Sequence, residues 1–203
     1  MWDRAIAVVS TDGEIIRKSR EAPAAFAELY DRHANAIHRY AARRIAEGAD
    51  DVMSETFLVA FEKRLSFDGS KDDALPWLYG ISTVLLNRHR RQEAVAWRGL
   101  VADASAAPTH PTDDADEKLD ADRAIGKLAA AIHRMKPRDR KALLLYAWGD
   151  LDYAGVAEAM GIPVGTVRSR INRARRQLRH SIGQESLVKE VEHGRDHPAA
   201  QRA

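Results

Sequence analysis

The chain has no cysteine. That removes disulfides, thiolate metal sites and cysteine nucleophiles together, and it fits a reducing compartment. Also missing is any apolar run near the roughly 20 residues a membrane-spanning helix requires. The start, Met1-Trp-Asp-Arg-Ala-Ile-Ala-Val-Val-Ser10, is too short and too polar at its flanks for a secretory signal. A soluble, cytoplasmic chain is expected. There is no phosphate-binding glycine loop, no His-Glu-Xaa-Xaa-His and no nucleophile elbow, so neither an enzyme nor a bound cofactor is expected. The histidines give no metal site: the step from His33 to His38 does not align them on a helix, and His193 and His197 lie in a polar tail where a solvated pair is the simpler reading. No internal repeat and no strand pattern is evident.

Net charge is nearly absent too, at +2, but that average hides a strong asymmetry. Between Asp103 and Asp122 seven carboxylates face Lys118 alone, whereas from Arg123 to His180 thirteen Lys or Arg face four carboxylates. A basic C-terminal module thus follows an acidic connector. The asymmetry points to a polyanion as the module's partner, with salt-dependent affinity through counterion release.

At 203 residues, one or two domains with real cores are expected. Residues 1–21 show no sustained period and read as a loose leader. From Ala24 to Ile45, Phe26, Leu29, Tyr30, His33, Ile37, Tyr40, Ala41 and Ile45 follow a helical period. A second helix is predicted from Asp51 to Leu65, capped by Asp50 or Asp51 and burying Val52, Phe57, Ala60 and Phe61. Ser66 to Asp73 is a loop by composition. A third helix starts near Pro76 and ends in Arg88-His-Arg-Arg91; the helix dipole favours cations there, but four in a row exceed its needs and suit phosphates. Trp77 and Tyr79, near the start of that helix, read as core first and as stacking partners for bases second. Residues 99–120, rich in Ala, Pro, Thr and Asp, form an acidic linker. Helices resume over 121–135 and 138–148, with Pro137 between them and Gly149 as the stop. Residues 183–203 read as a weakly helical, then polar, tail. The predicted fold is all-α: two small helical modules, 22–98 and 121–182, joined by the flexible linker.

The most specific pattern is Leu151-Asp-Tyr-Ala-Gly-Val-Ala-Glu-Ala-Met-Gly161-Ile-Pro-Val-Gly165-Thr-Val-Arg-Ser-Arg170-Ile-Asn-Arg-Ala-Arg-Arg176. It reads as a short helix, a tight turn and a second helix loaded with arginine, the layout of a helix-turn-helix. Val156, Ala157 and Met160 supply the buried stripe of the first helix, with Ala157 small at the crossing. Gly161 suits a left-handed helix end, and Pro163 suits the start of the next helix. In the second helix Val167, Ile171, Ala174 and Leu178 face inward. Arg168, Ser169, Asn172, Arg173 and Arg176 are left outward, where they can meet phosphates and base edges.

These two modules in this order resemble the extracytoplasmic-function group of bacterial RNA polymerase sigma factors. In the first module the resemblance rests on Phe26-Ala-Glu-Leu-Tyr-Asp-Arg-His33, Asp50-Asp-Val-Met-Ser-Glu-Thr-Phe-Leu58, and Trp77-Leu-Tyr-Gly-Ile81 leading into Leu85-Leu-Asn-Arg-His-Arg-Arg91. In the second it rests on Leu151-Asp-Tyr153, Val156-Ala157, Met160 to Arg170, and Arg173-Ala-Arg175. It implies a dissociable subunit that binds core RNA polymerase, at the beta-prime clamp and the beta flap, and contacts promoter DNA as duplex and as melted strand. The first module would hold the minus-ten element and the second the minus-thirty-five element. A linker of about 22 residues reaches roughly 70 Å extended, comparable with about two duplex turns of roughly 34 Å each.

Residue by residue, the resemblance implies base-edge contacts for Arg168, Ser169, Asn172 and Arg173; for backbone contacts we select Thr166 and Arg176. The duplex-facing segment near the minus-ten element corresponds to Asn87, Arg88, His89, Arg90 and Arg91. The pocket for a flipped base corresponds to the loop from Ser66 to Ala74, including Phe67 and Asp68. Asp50, Asp51, Ser54 and Glu55 correspond to the polymerase-docking surface. Val84 departs from an Asn common in the family and offers no hydrogen bond; Ala154 and Gly155 replace two commonly acidic residues, which predicts a less stable first helix. Two other readings stay open: a free-standing repressor or activator, which would need a dimer on paired half-sites, and a helical protein that chiefly binds other proteins, including sequestration by an anti-sigma factor.

Overall fold

Thr11 opens the first helix, α1 (Asp12–Lys18), through a capping box: the Glu14 amide donates to Thr11 Oγ1 at 3.3 Å and the Thr11 amide to Glu14 Oε2 at 3.0 Å. Ile15 and Ile16 are buried behind it. Part of the expected loose leader is therefore a packed helix, because capping and two adjacent isoleucines suffice without a longer period. The structure, a computed structural model, describes residues 10–103 and 128–193, with side chains over 10–91 and 128–181. Among the described residues all regular structure is helical.

Pro23 fixes a 3₁₀ turn (Pro23–Phe26) ahead of α2 (Ala27–Ala42). The next helix, α3 (Ala49–Glu62), is not capped by an aspartate: Gly48, at φ 80°, is its N-cap, and Asp50 and Asp51 lie in the first turn, where the dipole favours them. A 3₁₀ turn (Arg64–Ser66) and a loop over 67–74 lead into α4 (Leu75–Asp103). This helix continues through 99–103, which were expected in the linker; Ala94 to Asp103 contains good helix formers and no proline. The rest of the linker and the first residues of the next helix lie outside the described residues. Residues 128–134 form α5. Then come α6 (Pro137–Trp148), with Pro137 at its first position, α7 (Tyr153–Met160) and α8 (Val164–His193). The last helix passes Gly183, so the expected tail is helical as far as His193, and residues 194–203 lie outside the described residues.

The described residues gather into two compact units, one made of 10–103 with Leu145–Val164, the other of 128–144 and 165–193. In the first, α2, α3 and α4 enclose Leu29, Ile37, Tyr40, Val52, Leu78 and Leu86. Edge-on ring pairs, Phe26 with Phe61 at 5.4 Å and Tyr40 with Tyr79 at 4.9 Å between centroids, tie the helices together. Burial pushes the Tyr79 phenol up to about 12, with Tyr40 beside it adding to the rise.

Helix α7 belongs to this first unit and packs on α4, whereas the sequence pattern groups it with the C-terminal module. Gly80 is the reason the backbones can approach: a Cβ there would stand 3.1 Å from the Ala159 carbonyl oxygen. Lys71 Nζ meets Glu158 Oε2 at 2.6 Å, and that hydrogen bond raises the lysine's pKa. Gly149 is buried against Tyr79, and the left-handed residue after α6 is Asp150, at φ 52°, a conformation aspartate tolerates better than most. The second unit is built on Met135, Leu143 and Ala174, flanked by Ile132 and Leu178. Among the described residues no helix is long and apolar enough to cross a membrane.

Candidate nucleic-acid interface

Local backbone chemistry begins and ends α7. Asp152 caps α7 by accepting from the Gly155 amide at 2.7 Å, which offsets the absence of acidic residues at 154 and 155. Gly161 ends α7 at φ 62°, and the Ile162 amide closes the turn on the Ala157 carbonyl at 3.0 Å. Along α8, Val167, Ile171 and Ala174 are buried and Leu178 is half-buried. Arg168, Ser169, Asn172, Arg173 and Arg176 are exposed on the other side, with Thr166 half-buried at the edge. Ser169 Oγ donates to the Gly165 carbonyl at 2.9 Å, so its hydroxyl meets a ligand chiefly as an acceptor.

Arg173 is not a free arm. Its Nη1 donates to Asp139 Oδ1 and Oδ2, both at 3.0 Å, and Asp139 is only 3 % exposed. The guanidinium is thus held from the first turn of α6 while half of the side chain stays in solvent. Around this pair lies a cavity of about 700 Å³ lined by Lys136, Arg138, Thr166, Ser169 and Arg170. Its one carboxylate is neutralised by Arg173, so the surplus charge is positive, which suits phosphate oxygens. Sequence spacing gave no hint of Asp139.

The other residues chosen from sequence lie in the first unit. Phe67 is 5 % exposed and packs on the Trp77 ring, centroids 5.0 Å apart, so it anchors the loop and is not presented to a base. Asp68 is exposed; its carboxylate accepts from Ser70 Oγ at 2.7 Å and the Ser70 amide at 3.1 Å, bonds that hold it below the ordinary carboxylate range. Tyr79 is core. In the middle of α4, which runs on to Asp103 and does not end at Arg91 as the basic run suggests, Asn87, Arg88 and Arg91 are exposed, while His89 and Arg90 are half-buried. The imidazole of His89 lies against Gly48, where a Cβ would come within 2.8 Å of its Nε2. Val84 is 64 % exposed. On α3, Asp50, Asp51 and Ser54 face solvent, Asp50 lying 3.3 Å from His38 Nε2. Glu55 pairs with Arg88 at 3.2 Å, so a residue expected to dock polymerase and one expected to touch DNA face each other here.

The sequence reading also missed Asp12. Its Oδ2 accepts from His33 Nε2 at 2.6 Å and from the Ala74 amide at 2.9 Å, and its Oδ1 from Arg32 Nη1 at 3.1 Å. Burial raises its pKa, but the His33 bond, the Ala74 amide, the His33 charge and Arg32 together bring it below 3.8. Asp12, His33 and Asp73 hold possible ligand atoms within 4.8 Å of one another, but Arg32 already brings a positive charge to Asp12. The signal that was available is Thr11-Asp-Gly-Glu14, a capping-box pattern.

Comparison with known proteins adds independent findings. Residues 29–95 match the family described as Sigma-70 region 2, and residues 125–178 the one described as Sigma-70, region 4. The chain is 32 % identical over 167 residues to the ECF RNA polymerase sigma factor SigM of Mycobacterium tuberculosis, covering 78 % of each protein. To the RNA polymerase sigma factor CarQ of Myxococcus xanthus it is 30 % identical over 171 residues, 80 % of this chain and 92 % of that one. The ECF RNA polymerase sigma factor SigE of Mycolicibacterium smegmatis is 31 % identical over 163 residues, and the match spans 62 % of its length. Among solved structures, CnrH in complex with the cytosolic domain of CnrY is similar in fold, with a TM-score of 0.59, 21 % identity, and coverage of 85 % of this chain and 97 % of that one. The sigma factor RpoE of Bartonella quintana, solved with the anti-sigma factor NepR, gives a TM-score of 0.54 at 20 % identity, covering 78 % of this chain and 96 % of that one.

Proposed function

From a chain that belongs to the extracytoplasmic-function sigma factors of bacterial RNA polymerase, we propose a dissociable subunit that binds core polymerase, selects promoters and assists melting at the start site. The observation that carries the reading is the presence of both family matches, 29–95 and 125–178, in one chain. A free-standing regulator needs the second alone.

In this reading 22–98 serves polymerase and the minus-ten element, 121–182 serves the minus-thirty-five element, and the chain beyond the end of α4 at Asp103 joins them. On α8, Arg168 and Asn172 read base edges with Ser169 accepting, and Arg173 reaches from its Asp139 tether. Thr166 and Arg176 hold the backbone, helped by Lys136, Arg138 and Arg170. The exposed, one-sided face of α8 supports this assignment, and one arginine paired to guanine discriminates by about 1–3 kcal/mol. At the minus-ten element Asn87, Arg88 and Arg91 meet duplex phosphate, and Asp68 meets an unstacked base. Asp50, Asp51, Ser54 and Glu55 dock on the beta-prime clamp, and the second domain on the beta flap. Arg88 exchanges its Glu55 partner for phosphate when both surfaces engage. The protein acts by binding in the cytoplasm, without chemistry of its own, and an anti-sigma factor is a fitting regulator.

Native mass spectrometry with core polymerase and with promoter DNA tests this. The expected species is one copy of the chain on core polymerase, with promoter DNA retained only in that complex. A dimer bound to palindromic DNA without polymerase would instead establish the free-standing regulator.

A further inference from the structure

Helix α1 lies outside both family matches, yet its polar groups converge on one loop, 67–74. The Asp12 amide donates to the Asp72 carbonyl at 3.0 Å, and the Ala74 amide donates to the Asp12 carboxylate. Gly13 presses on the middle of the loop: a Cβ there would stand 2.3 Å from the Lys71 carbonyl oxygen and 3.2 Å from that of Gly69. At the near end, Arg20 Nη2 donates to the Phe67 carbonyl at 3.3 Å. The loop is therefore held at its start, its middle and its end by one short N-terminal segment.

The brace is itself fixed. Its capping box and the buried Ile15 and Ile16 set its position, and Asp12 is locked to α2 by His33 and Arg32; Arg32 Nη1 also donates to the Ser10 carbonyl at 2.7 Å. Outside that N-terminal segment the loop is tied by Phe67 on Trp77, by Lys71 Nζ on Glu158 and by the Leu75 amide on Asp73 Oδ1 at 2.8 Å, and within itself by the Asp68–Ser70 bonds and the Lys71 amide on the Asp68 carbonyl at 3.1 Å. Asp68, Gly69 and Ser70 remain exposed on its outer side. Asp12 thus supplies the polar ties to the loop, and Gly13 leaves the space its backbone occupies.

We propose that α1 is a brace that sets the shape of loop 67–74, with Asp12 and Gly13 as positioning residues for reading an unstacked base. This rests on the reading of that loop as a base-contacting element. Gly13→Ala is the sharpest perturbation, because alanine ordinarily favours a helix but here displaces the Lys71 carbonyl while leaving every charge in place.

The experiment uses holoenzyme assembled from the full chain and core polymerase. Its probe is a fork-junction promoter DNA, taken from a start site the wild type uses, with the minus-ten single strand intact or abasic. G13A and D12N are expected to lose about tenfold in discrimination between the two probes, the size of one good base contact, with binding to duplex minus-thirty-five DNA unchanged. Amide exchange at Gly69 to Lys71 is expected to quicken in both. D68A, on the loop itself, tests the underlying reading: unchanged discrimination there would discard the base-reading role even if exchange quickens. Loss in D68A with wild-type discrimination and exchange in G13A would overturn the brace. Should D12N not fold, G13A and R20A decide on the same criteria.

Discussion

Replacing Arg173 by alanine should damage the protein before any DNA is present, and replacing Arg168 should not. Both arginines lie on the exposed side of α8, but only Arg173 neutralises a carboxylate that is 3 % exposed. Removing one partner of a fully buried pair costs about 3–5 kcal/mol. Here the guanidinium is half in water, so roughly half of that, about 2 kcal/mol, is expected. For a unit of this size that is a fall in Tm of roughly 10 °C. R168A should stay within about 0.5 kcal/mol of wild type. Removing the buried charge as well, in D139A/R173A, should recover part of the loss, since it is the unpaired carboxylate that is costly. Urea unfolding followed by circular dichroism measures the differences, and amide exchange in α6 assigns them to the second unit. Equal stability of R173A and R168A would refute the tether.

Three further outcomes follow. Asp12 is held below its ordinary value of 3.8, so its contribution is present above that pH and is lost as pH falls through the lower folded value; acid titration of stability should be steeper below about pH 4 for wild type than for D12N, and identical slopes would contradict the assignment. G161A meets nothing within 4 Å, so its cost is conformational only, about 1 kcal/mol for a left-handed residue, measurable by urea unfolding. F67A removes the loop's anchor on Trp77 and should cost about 3–5 kcal/mol; a change under 1 kcal/mol would mean that the ring is not core.

The parts of this molecule that show plainly in sequence are those encoded by local chemistry. The Val167, Ile171, Ala174 stripe and the outward arginines follow from helical spacing, and the left-handed Gly161 from its place after Met160. Long-range pairings leave no such trace: Asp139 and Arg173 are 34 residues apart, and Asp12 and Ala74 are 62 apart. For Phe67, an aromatic in a polar loop is equally consistent with a base platform and with an anchor, and its burial on Trp77 decides for the anchor. Gly48 took the capping role from Asp50 and Asp51 because a left-handed turn against His89 leaves no room for a side chain. Helix α4 runs through Gly99 and α8 through Gly183, since an isolated glycine costs a helix only about 1 kcal/mol.

Run-off transcription on genomic promoter DNA with purified core polymerase, with and without the protein, tests the central claim most directly. Discrete new transcripts with wild type, lost in R168A although that variant keeps its stability, are the predicted result. No new transcripts, together with tight binding of the protein alone to a palindromic site, would contradict it.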